Sequence, residues 1–217
     1  ALVLHHSKLD PNKVFIGTTN GLTSIQWVIT SNQIKGRWIQ EDLNNMIKDE
    51  IYSIAEKENG KLWLGTRDHG VYLVEYKAGK KLTILHFDTA NGLSEGGIYV
   101  TQILNKIVFA GEKRLYKYVP GDSESSLSFK PDTAYGIRFA DGSRLVHRVS
   151  QDQFGNIWLN THSRNIFEIG YSRYINKNKY VWDNTQFIRI PQQIYHAIYH
   201  DIDSTTWLGG SNVLVRY

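Results

Sequence analysis

One sequence pattern recurs five times along the chain at a nearly fixed interval. It consists of a short β-rich run with an aromatic residue, a polar turn and a second β-rich run, as in KLWLGTRDHGVYLVEY from Lys61. The aromatic anchors lie 48, 46, 49 and 49 residues apart, at Phe15, Trp63, Phe109, Trp158 and Trp207. A repeat of this length indicates an array of structural units that bury their hydrophobic faces against one another.

The signals around each anchor predict four strands per repeat. Two residues after the anchors stand Gly17, Gly65, Gly111, Asn160 and Gly209. Glycine and asparagine take positive φ easily, and glycine lets another backbone come close. A β-rich run precedes each full hairpin (IYSIAE, GIYVTQIL, LVHRVSQD, IYHAIYHD), and an aromatic run follows the hairpin (GRWIQ, LTILHFD, SLSFK, QFIRI).

Helical periodicity is nearly absent, and the best stretch, QEDLNNMIKDEI, is interpreted as a loop or at most one turn. Four strands in about 40 to 50 residues are typical of one blade of a β-propeller. We therefore predict an all-β chain, a β-propeller of four-stranded antiparallel blades.

The chain holds about four and a half such blades. The predicted boundaries are 1–42, 43–90, 91–134, 135–191 and an incomplete 192–217. An arc that does not close leaves apolar blade faces bare, which favours association. We expect the chain to be a segment of a larger propeller of about seven blades, or to close with a second copy.

Composition excludes several classes of function. The 217 residues include 25 basic and 21 acidic side chains, a net charge of +4, and the basic residues are too scattered for a nucleic-acid surface. Without cysteine, neither a disulfide framework nor a cysteine zinc site can form. No apolar stretch reaches the roughly 18 residues of a membrane span, and the start lacks a signal-peptide layout. Any export signal or membrane anchor is expected outside this sequence.

Three stretches carry a family resemblance. They are ENGKLWLGTRDHGVYLVEY from Glu58, QDQFGNIWLNT from Gln151 and the linker FDTANGLSEGGIYV from Phe87. Their shared pattern, Gly-Asn-hydrophobic-Trp-hydrophobic-Gly-Thr followed by Gly-Leu-Tyr, resembles the two-component regulator propeller repeat. The third repeat departs from this pattern, with phenylalanine and alanine in place of tryptophan and leucine.

The resemblance implies a role in signal reception. Such repeats form tandem propellers in the periplasmic sensor region of Bacteroides-type hybrid histidine kinases, which commonly respond to oligosaccharides. It implies no catalysis by this segment, with any kinase in a separate cytoplasmic part. The sequence contains no Gly-rich phosphate loop, calcium loop or zinc signature, so no cofactor and no metal are expected. The expected partners are a small-molecule or oligosaccharide ligand, the remaining blades of the receptor and a second copy in a homodimer. Contact with the membrane would be made only through segments outside this sequence.

Three motifs suggest other chemistry. Gly92–Gly96 spells Gly-x-Ser-x-Gly, but a nucleophile elbow needs a helix after it, and strand signals lie on both sides here. Ser150–Trp158 resembles, with one extra residue, the Asp-box of sialidase-like propellers, which is a structural turn. His196 and His200 are four residues apart in a predicted strand, a separation of about 13 Å. Packing or surface roles are favoured for them over metal binding.

A glycosidase would need two carboxylates about 5 to 10 Å apart. Candidate carboxylates come from different blades, and none stands out: Glu56, Glu58, Asp68, Glu112, Asp152 and Asp201.

The turns between second and third strands differ in chemistry while the frame around them repeats, as in a scaffold that presents a site. Planar donors suit carboxylates and sugar hydroxyls. The predicted ligand-binding residues are Arg67, Asp68, His69, Arg114, His162 and Arg164. Trp38 and Trp182 lie outside the anchor positions and either stack on sugars or cover outer strands. The innermost strands begin with Tyr52, Tyr99, His147 and Tyr195 at matching positions. These side chains either line a central channel or pack between blades.

The leading hypothesis is a non-enzymatic sensor for an oligosaccharide. A glycan-active propeller enzyme, a lyase or hydrolase, and a structural or protein-binding propeller are the alternatives.

Overall fold

A computed structural model describes residues 1–29, 35–41, 43, 47–57, 59–76, 82–176 and 179–217. The part of the stretch QEDLNNMIKDEI that falls on residues 42 and 44–46 lies outside the described residues. The described residues form nineteen strands: β1 (Val3–His6), β2 (Lys13–Thr18), β3 (Gly21–Val28), β4 (Arg37–Glu41), β5 (Ile51–Glu56), β6 (Lys61–Thr66), β7 (Val71–Glu75), β8 (Thr83–Phe87), β9 (Tyr99–Ile103), β10 (Lys106–Ala110), β11 (Leu115–Val119), β12 (Ser128–Pro131), β13 (Leu145–Gln151), β14 (Ile157–Ser163), β15 (Ile166–Asn176), β16 (Lys179–Asp183), β17 (Tyr195–His200), β18 (Thr206–Gly210) and β19 (Leu214–Arg216).

Short 3₁₀ turns are the only helices among the described residues, over Thr89–Asn91, Glu124–Ser126, Ile137–Phe139 and Thr185–Phe187. None of these approaches the length or apolarity of a membrane-spanning helix.

The strands form five small antiparallel sheets in which chain order equals neighbour order. The first four sheets have four strands each, β1–β4, β5–β8, β9–β12 and β13–β16, and the fifth has three described strands, β17–β19. The architecture is therefore that of β-propeller blades, four complete and one with three strands, as the repeat predicts. The boundaries assigned to individual blades stay a prediction.

Two compact units divide the chain. Unit 1 comprises Ala1–Asn91 and Glu95–Ile107, and unit 2 comprises Gly92–Ser94 and Val108–Tyr217.

The core of unit 1 lies between its sheets and includes Phe15, Ile51, Leu62, Leu64 and Val74, each nearly or fully inaccessible to solvent. Five of the six residues in β6, KLWLGT, are buried, so both faces of this strand are covered. A nearly continuous apolar run is the sequence signature of such a strand.

Unit 2 has a core built around the anchor Trp158. Its indole contacts the ring of Phe187 edge-on at 5.1 Å, with Ile169, Tyr195 and Leu208 in the same cluster. Aromatic rings at this distance add to the stabilisation from burial alone.

The prediction that QFIRI forms the fourth strand of the fourth blade is wrong. The outer strand of that sheet is β16, which pairs with β15, whereas the aromatic run begins in the 3₁₀ turn over Thr185–Phe187. Phe187 is fully buried against Trp158 and Tyr171, at 5.1 and 5.5 Å between ring centroids. The aromatic run is therefore buried through Phe187, which packs in the core of unit 2 without belonging to a paired strand.

The residue two positions after the anchor places neighbouring sheets in close contact. A Cβ added at Gly17 would lie 2.6 Å from the carbonyl oxygen of Ile51, and one at Gly65 would collide with that of Ile98. The Gly111 carbonyl accepts the backbone N–H of Val146 at 3.1 Å. At Gly17 and Gly65 the close approach of backbone leaves no room for a side chain, and none of the three glycines has positive φ.

In the fourth blade, a side chain replaces this close approach. The Asn160 amide donates to the carbonyl of Gln193 at 3.0 Å, and its oxygen accepts the N–H of Tyr195 at 2.8 Å. Asparagine thus supplies the link between blades that glycine supplies elsewhere.

Candidate functional site

The first group of predicted binding residues lies in the β6–β7 turn of unit 1, and acidic side chains already engage two of its members. The Arg67 guanidinium donates from Nε to Glu50 Oε1 at 2.5 Å, and His69 Nδ1 lies 2.8 Å from Asp49 Oδ1. The bond to Glu50 raises the pKa of Arg67. Asp68 lies exposed between them. Arg67 and His69 therefore tie the turn to the segment that precedes β5.

A hydrogen-bonded cluster extends from this turn. The Tyr72 hydroxyl donates to Asp49 Oδ2 at 2.5 Å, and the His86 ring stacks on Tyr72 at 4.6 Å. Burial raises the pKa of Tyr72, and the hydrogen bond to Asp49 raises it further. A general base needs a pKa near the working pH. Tyr72 therefore stays protonated and acts as a hydrogen-bond donor, so the cluster stabilises the turn and does not act as a general base.

The second group lies in unit 2, where His162 is part of an aromatic stack. Its ring lies 4.3 Å from that of Phe167 at an angle of 10°, and 6.1 Å from that of His147. Burial, together with the charges of His162, Arg148 and His196, lowers the pKa of His147 to about 4. The buried His147 Nε2 atom has no hydrogen-bond partner among the described residues. It is available to a ligand that reaches it.

The assignment of Tyr195 to the innermost-strand series is wrong by one residue. Strands β5, β13 and β17 each have a β-bulge at the same point of their pairing with the next strand. The bulged residues are Tyr52, His147 and His196, so His196 is the member of the series in the fifth sheet. Tyr195 is instead fully buried, and its hydroxyl donates to the Pro191 carbonyl at 2.6 Å. In unit 1, the rings of Tyr52 and Tyr99 lie 6.1 Å apart.

Arg114 and Arg164 occupy different settings in unit 2. Arg114 is half-buried beside Gly142, and its Nε atom lacks a partner among the described residues. Arg164 is exposed at the tip of the β14–β15 turn with φ of 53°, a left-handed conformation that is uncommon outside glycine. The binding role of the six residues stays a prediction.

Trp38 and Trp182 both lie on the fourth strands of their sheets. Trp38 packs edge-on against Trp27 at 5.4 Å, and Trp182 packs against Phe139 at 5.0 Å with the Arg138 guanidinium 5.0 Å from its ring. Both contacts fit a covering role on the outer strands.

The turn that resembles an Asp-box is structural in this fold. Asp152 Oδ1 accepts the backbone N–H groups of Phe154 and Asn156, each at 2.9 Å. Its Oδ2 accepts the Asn156 amide and the Trp158 indole N–H, also at 2.9 Å. The carboxylate fixes the turn and the anchor tryptophan at once.

The other suggestive motifs also have local explanations. A 3₁₀ turn precedes Gly92–Gly96 and no helix follows it, which removes the geometry of a nucleophile elbow. His196 contacts Ser211 at 3.0 Å, and His200 contacts Ser150 and Thr206 at 2.9 Å each. The described part of the chain contains no group of three histidine, cysteine or acidic side chains that could hold a metal ion.

Of the candidate carboxylates, Asp152 and Asp201 both line one cavity of unit 2, and both oxygens of Asp152 are engaged within its own turn. Glu56 is 2% exposed and bound to His5, Ser7 and Lys8, while Asp68 and Glu112 are exposed. Glu58 lies outside the described residues.

Unit 2 contains a cavity of about 180 Å³ that sequence analysis did not find. Trp158 forms part of its wall, and the rings of Tyr171, His200 and Tyr217 lie 5.5, 5.4 and 5.6 Å from the Trp158 ring. The remaining lining residues are Asp152, Gln153, Phe154, Asn156, Gln186, Asp201, Ser204 and Thr206. We call this space the Trp158 cavity.

A glutamine connects two aromatic residues of the Trp158 cavity. Gln186 donates to the Tyr171 hydroxyl at 3.0 Å and accepts from the Tyr217 hydroxyl at 2.6 Å. The lining comes from segments that lie far apart in sequence, so no local motif marks it.

Comparison with known proteins identifies the repeat. Residues 45–68 match the family model described as the two component regulator propeller. The chain carries a two-component regulator propeller repeat. The matched residues cover β5, the whole of the hairpin strand β6 and the first turn residues, Arg67 and Asp68. A search of curated protein sequences finds no match.

Solved structures with the same fold include two extracellular domains from B. thetaiotaomicron, each of a protein assigned as a hybrid two component system. The domain of BT3049 aligns with a TM-score of 0.63 and 21% identity over 99% of this chain and 27% of that one. The domain of BT4673 aligns with a TM-score of 0.58 and 16% identity over 94% of this chain and 26% of that one. The chain thus spans about a quarter of the length of these matches.

Proposed function

We propose that the chain is a ligand-sensing propeller segment in the extracytoplasmic part of a two-component signalling receptor, a hybrid histidine kinase, and that its ligand is an oligosaccharide. The observation that carries the proposal is the family match over residues 45–68, which lies on the turn that presents Arg67 and Asp68. Both structural neighbours are extracellular domains of proteins assigned as hybrid two component systems, which supports the same role.

The chemistry of the site supports binding over catalysis. The His–Tyr cluster around Asp49 would favour an enzyme if its tyrosine were poised to take a proton, but burial and the bond to Asp49 raise the pKa of Tyr72. The exposed turns and the Trp158 cavity offer imidazoles, amides and aromatic rings, which suit the hydroxyl groups and ring faces of sugars.

The proposal extends to location and partners. We place the segment in the periplasm, with the kinase in a separate cytoplasmic part and the membrane reached through other segments of the receptor. Because the chain spans about a quarter of its structural neighbours, further blades of the same receptor are the expected cover for exposed apolar side chains of the fifth sheet, such as Tyr199 at 61% and Leu214 at 68% exposure. A second copy, in a homodimer, is the other proposed partner.

Thermal unfolding with a panel of oligosaccharides tests the proposal. A ligand at 100 times its Kd stabilises the folded state by about 2.7 kcal/mol. For a chain of this size, the Tm rises by roughly 5 to 10 °C. The control is a non-carbohydrate solute at the same concentration. An unchanged Tm across the panel would contradict oligosaccharide sensing, and an Arg164→Ala variant that loses the rise would place the ligand at the β14–β15 turn.

A further inference from the structure

The Trp158 cavity combines aromatic rings with polar side chains in one wall. Trp158 donates its indole N–H to Asp152 and is 3% exposed, so its ring backs the wall, and an occupant would meet the more exposed rings around it. Tyr171 and Tyr217 stand beside it, and Phe154, 65% exposed, lies at the same wall. Aromatic rings provide a large apolar surface at a small cost in conformational entropy.

We infer that the Trp158 cavity is a binding subsite for a single uncharged sugar ring. The inference rests on the proposed function, because it names the part of an oligosaccharide that unit 2 would hold.

Size limits the occupant. The cavity has a volume of about 180 Å³. Drug-sized ligands occupy pockets of roughly 300 to 1,000 Å³. The cavity has room for one ring with its hydroxyl groups, and the rest of an oligosaccharide would lie outside it.

Charge decides against an acidic sugar. The lining contains the carboxylates of Asp152 and Asp201 and no lysine or arginine. Burial lowers the pKa of His200, so the imidazole in this wall is neutral at pH 7. A uronate or a sulfated sugar would bring a negative charge towards two carboxylates without a cation to balance it.

Available hydrogen-bonding groups favour a sugar hydroxyl. Both oxygens of Asp152 are engaged in its own turn, whereas Asp201 Oδ1 accepts only the N–H of Ile202, at 2.8 Å, among the described residues. A hydroxyl group both donates and accepts. It can donate to Asp201 and accept from a glutamine amide of the same wall, Gln153 or Gln186.

Two aspartates of one turn give a matched test. Asp201 lines the cavity, whereas Asp203, two residues later and 59% exposed, does not. Both hold their turn through a backbone N–H, Asp201 to Ile202 and Asp203 to Thr205. Asp201→Asn and Asp203→Asn change the charge equally and retain an oxygen for the turn.

The experiment is calorimetric titration of the protein and both variants with neutral oligosaccharides, with uronate-containing oligosaccharides of the same length and with choline. We expect neutral oligosaccharides to bind, Asp201→Asn to weaken the binding roughly tenfold, since hydrogen bonds to charged groups are among the stronger ones, and Asp203→Asn to leave it unchanged. Gln186→Ala, a change at an exposed position, should also weaken the binding of neutral oligosaccharides. This variant replaces Asp201→Asn in the test if Asp201→Asn does not fold.

The outcomes separate the subsite from the wider proposal. If a neutral oligosaccharide binds equally well to Asp201→Asn and Gln186→Ala, or if only uronates bind, the subsite is wrong while oligosaccharide sensing stands. Choline binding that depends on Asp201 would show that the aromatic wall takes a cation instead, as aromatic cages do. If none of the oligosaccharides binds, both the subsite and the sensing proposal are wrong.

Discussion

The imidazole of His5 lies 3.0 Å from the carboxylate of Glu56, and this contact joins the innermost strands of two neighbouring sheets in unit 1. Unit 2 has an equivalent contact between Ser150 and His200, at 2.9 Å. His5 and Ser150 both stand opposite an aromatic anchor in their strand pairs, Phe15 and Trp158. The propeller thus uses one position to link blades with different polar pairs.

Removing Glu56 is expected to destabilise unit 1. Its side chain is 2% exposed and accepts from His5, from the Ser7 hydroxyl at 3.2 Å and from the Lys8 N–H at 2.7 Å. Glu56→Ala leaves these donors without a partner, so we expect the free energy of unfolding in urea to fall by about 2 to 3 kcal/mol. Asp68→Ala, at an exposed turn, is the control and should change it by less than about 0.5 kcal/mol. Equal effects would show that Glu56 is not a structural link.

Glu56 also predicts a loss of stability in acid. Burial acts to raise its pKa, but the hydrogen bonds from His5, Lys8 and Ser7 outweigh burial, and the pKa lies below its ordinary value of 4.5. The folded protein therefore binds this proton less readily than the unfolded chain does. The stabilisation is present above pH 4.5 and is lost as the pH falls through the folded-state pKa.

Urea unfolding of wild type and Glu56→Gln at several pH values below 5 measures this dependence. Wild type should lose more stability than the variant does as the pH falls, and parallel curves would contradict the assignment.

His147 predicts a second pH dependence in a different range. Its pKa is about 4 in the folded protein, against an ordinary value of 6.5, because it is buried near His162, Arg148 and His196. The unfolded chain binds the proton first as the pH falls, so stability is complete above pH 6.5 and declines between pH 6.5 and about 4. The ring is only partly buried, so solvent screening makes the decline smaller than the full shift would give at about 1.4 kcal/mol per pKa unit.

An NMR titration of the histidine rings measures that pKa directly, with His147→Gln to assign its signal. We expect no protonation of His147 at pH 5.5. A midpoint near 6.5 would show that the ring is solvated and would remove the predicted decline.

The glycines after the anchors differ in how much they tolerate a side chain. A Cβ at Gly65 would collide with the carbonyl oxygen of Ile98, which is fixed backbone, whereas one at Gly209 would lie 3.6 Å from the Ala197 Cβ atom, an ordinary contact. We expect Gly65→Ala to cost about 1 to 3 kcal/mol of unfolding free energy, as overpacking does. Gly209→Ala is the matched control and should be nearly neutral. Similar losses in both variants would point to backbone conformation instead of close packing.

The blade architecture is predictable from the sequence because the aromatic anchors recur at a nearly constant interval. The misplaced strand QFIRI shows the limit of that signal. Aromatic and β-branched residues favour a strand and favour core burial equally, and Phe187 is buried without pairing. The shift from Tyr195 to His196 has a related cause, since a β-bulge inserts one residue and breaks the alternation on which the alignment relied.

The candidate sites were harder to predict than the fold. Arg67 stands in an evident turn, but its partner Glu50 lies 17 residues earlier, in the linker before β5. The wall of the Trp158 cavity joins the turn at Asp152 with Tyr171, Gln186 and Tyr217, which only the packing of the sheets brings together. The repeat period and the strand propensity of residues describe local sequence, whereas these contacts join residues that are distant in sequence and close only in the folded chain.

The most direct test of the account is calorimetric titration of the protein with host and plant oligosaccharides, followed by analysis of the same samples for cleavage products. The sensor proposal predicts micromolar binding of at least one oligosaccharide that is recovered intact. Recovery of a shortened or unsaturated product would contradict it and establish a glycan-active enzyme. Absence of binding across the panel would contradict oligosaccharide sensing and favour a propeller that binds protein.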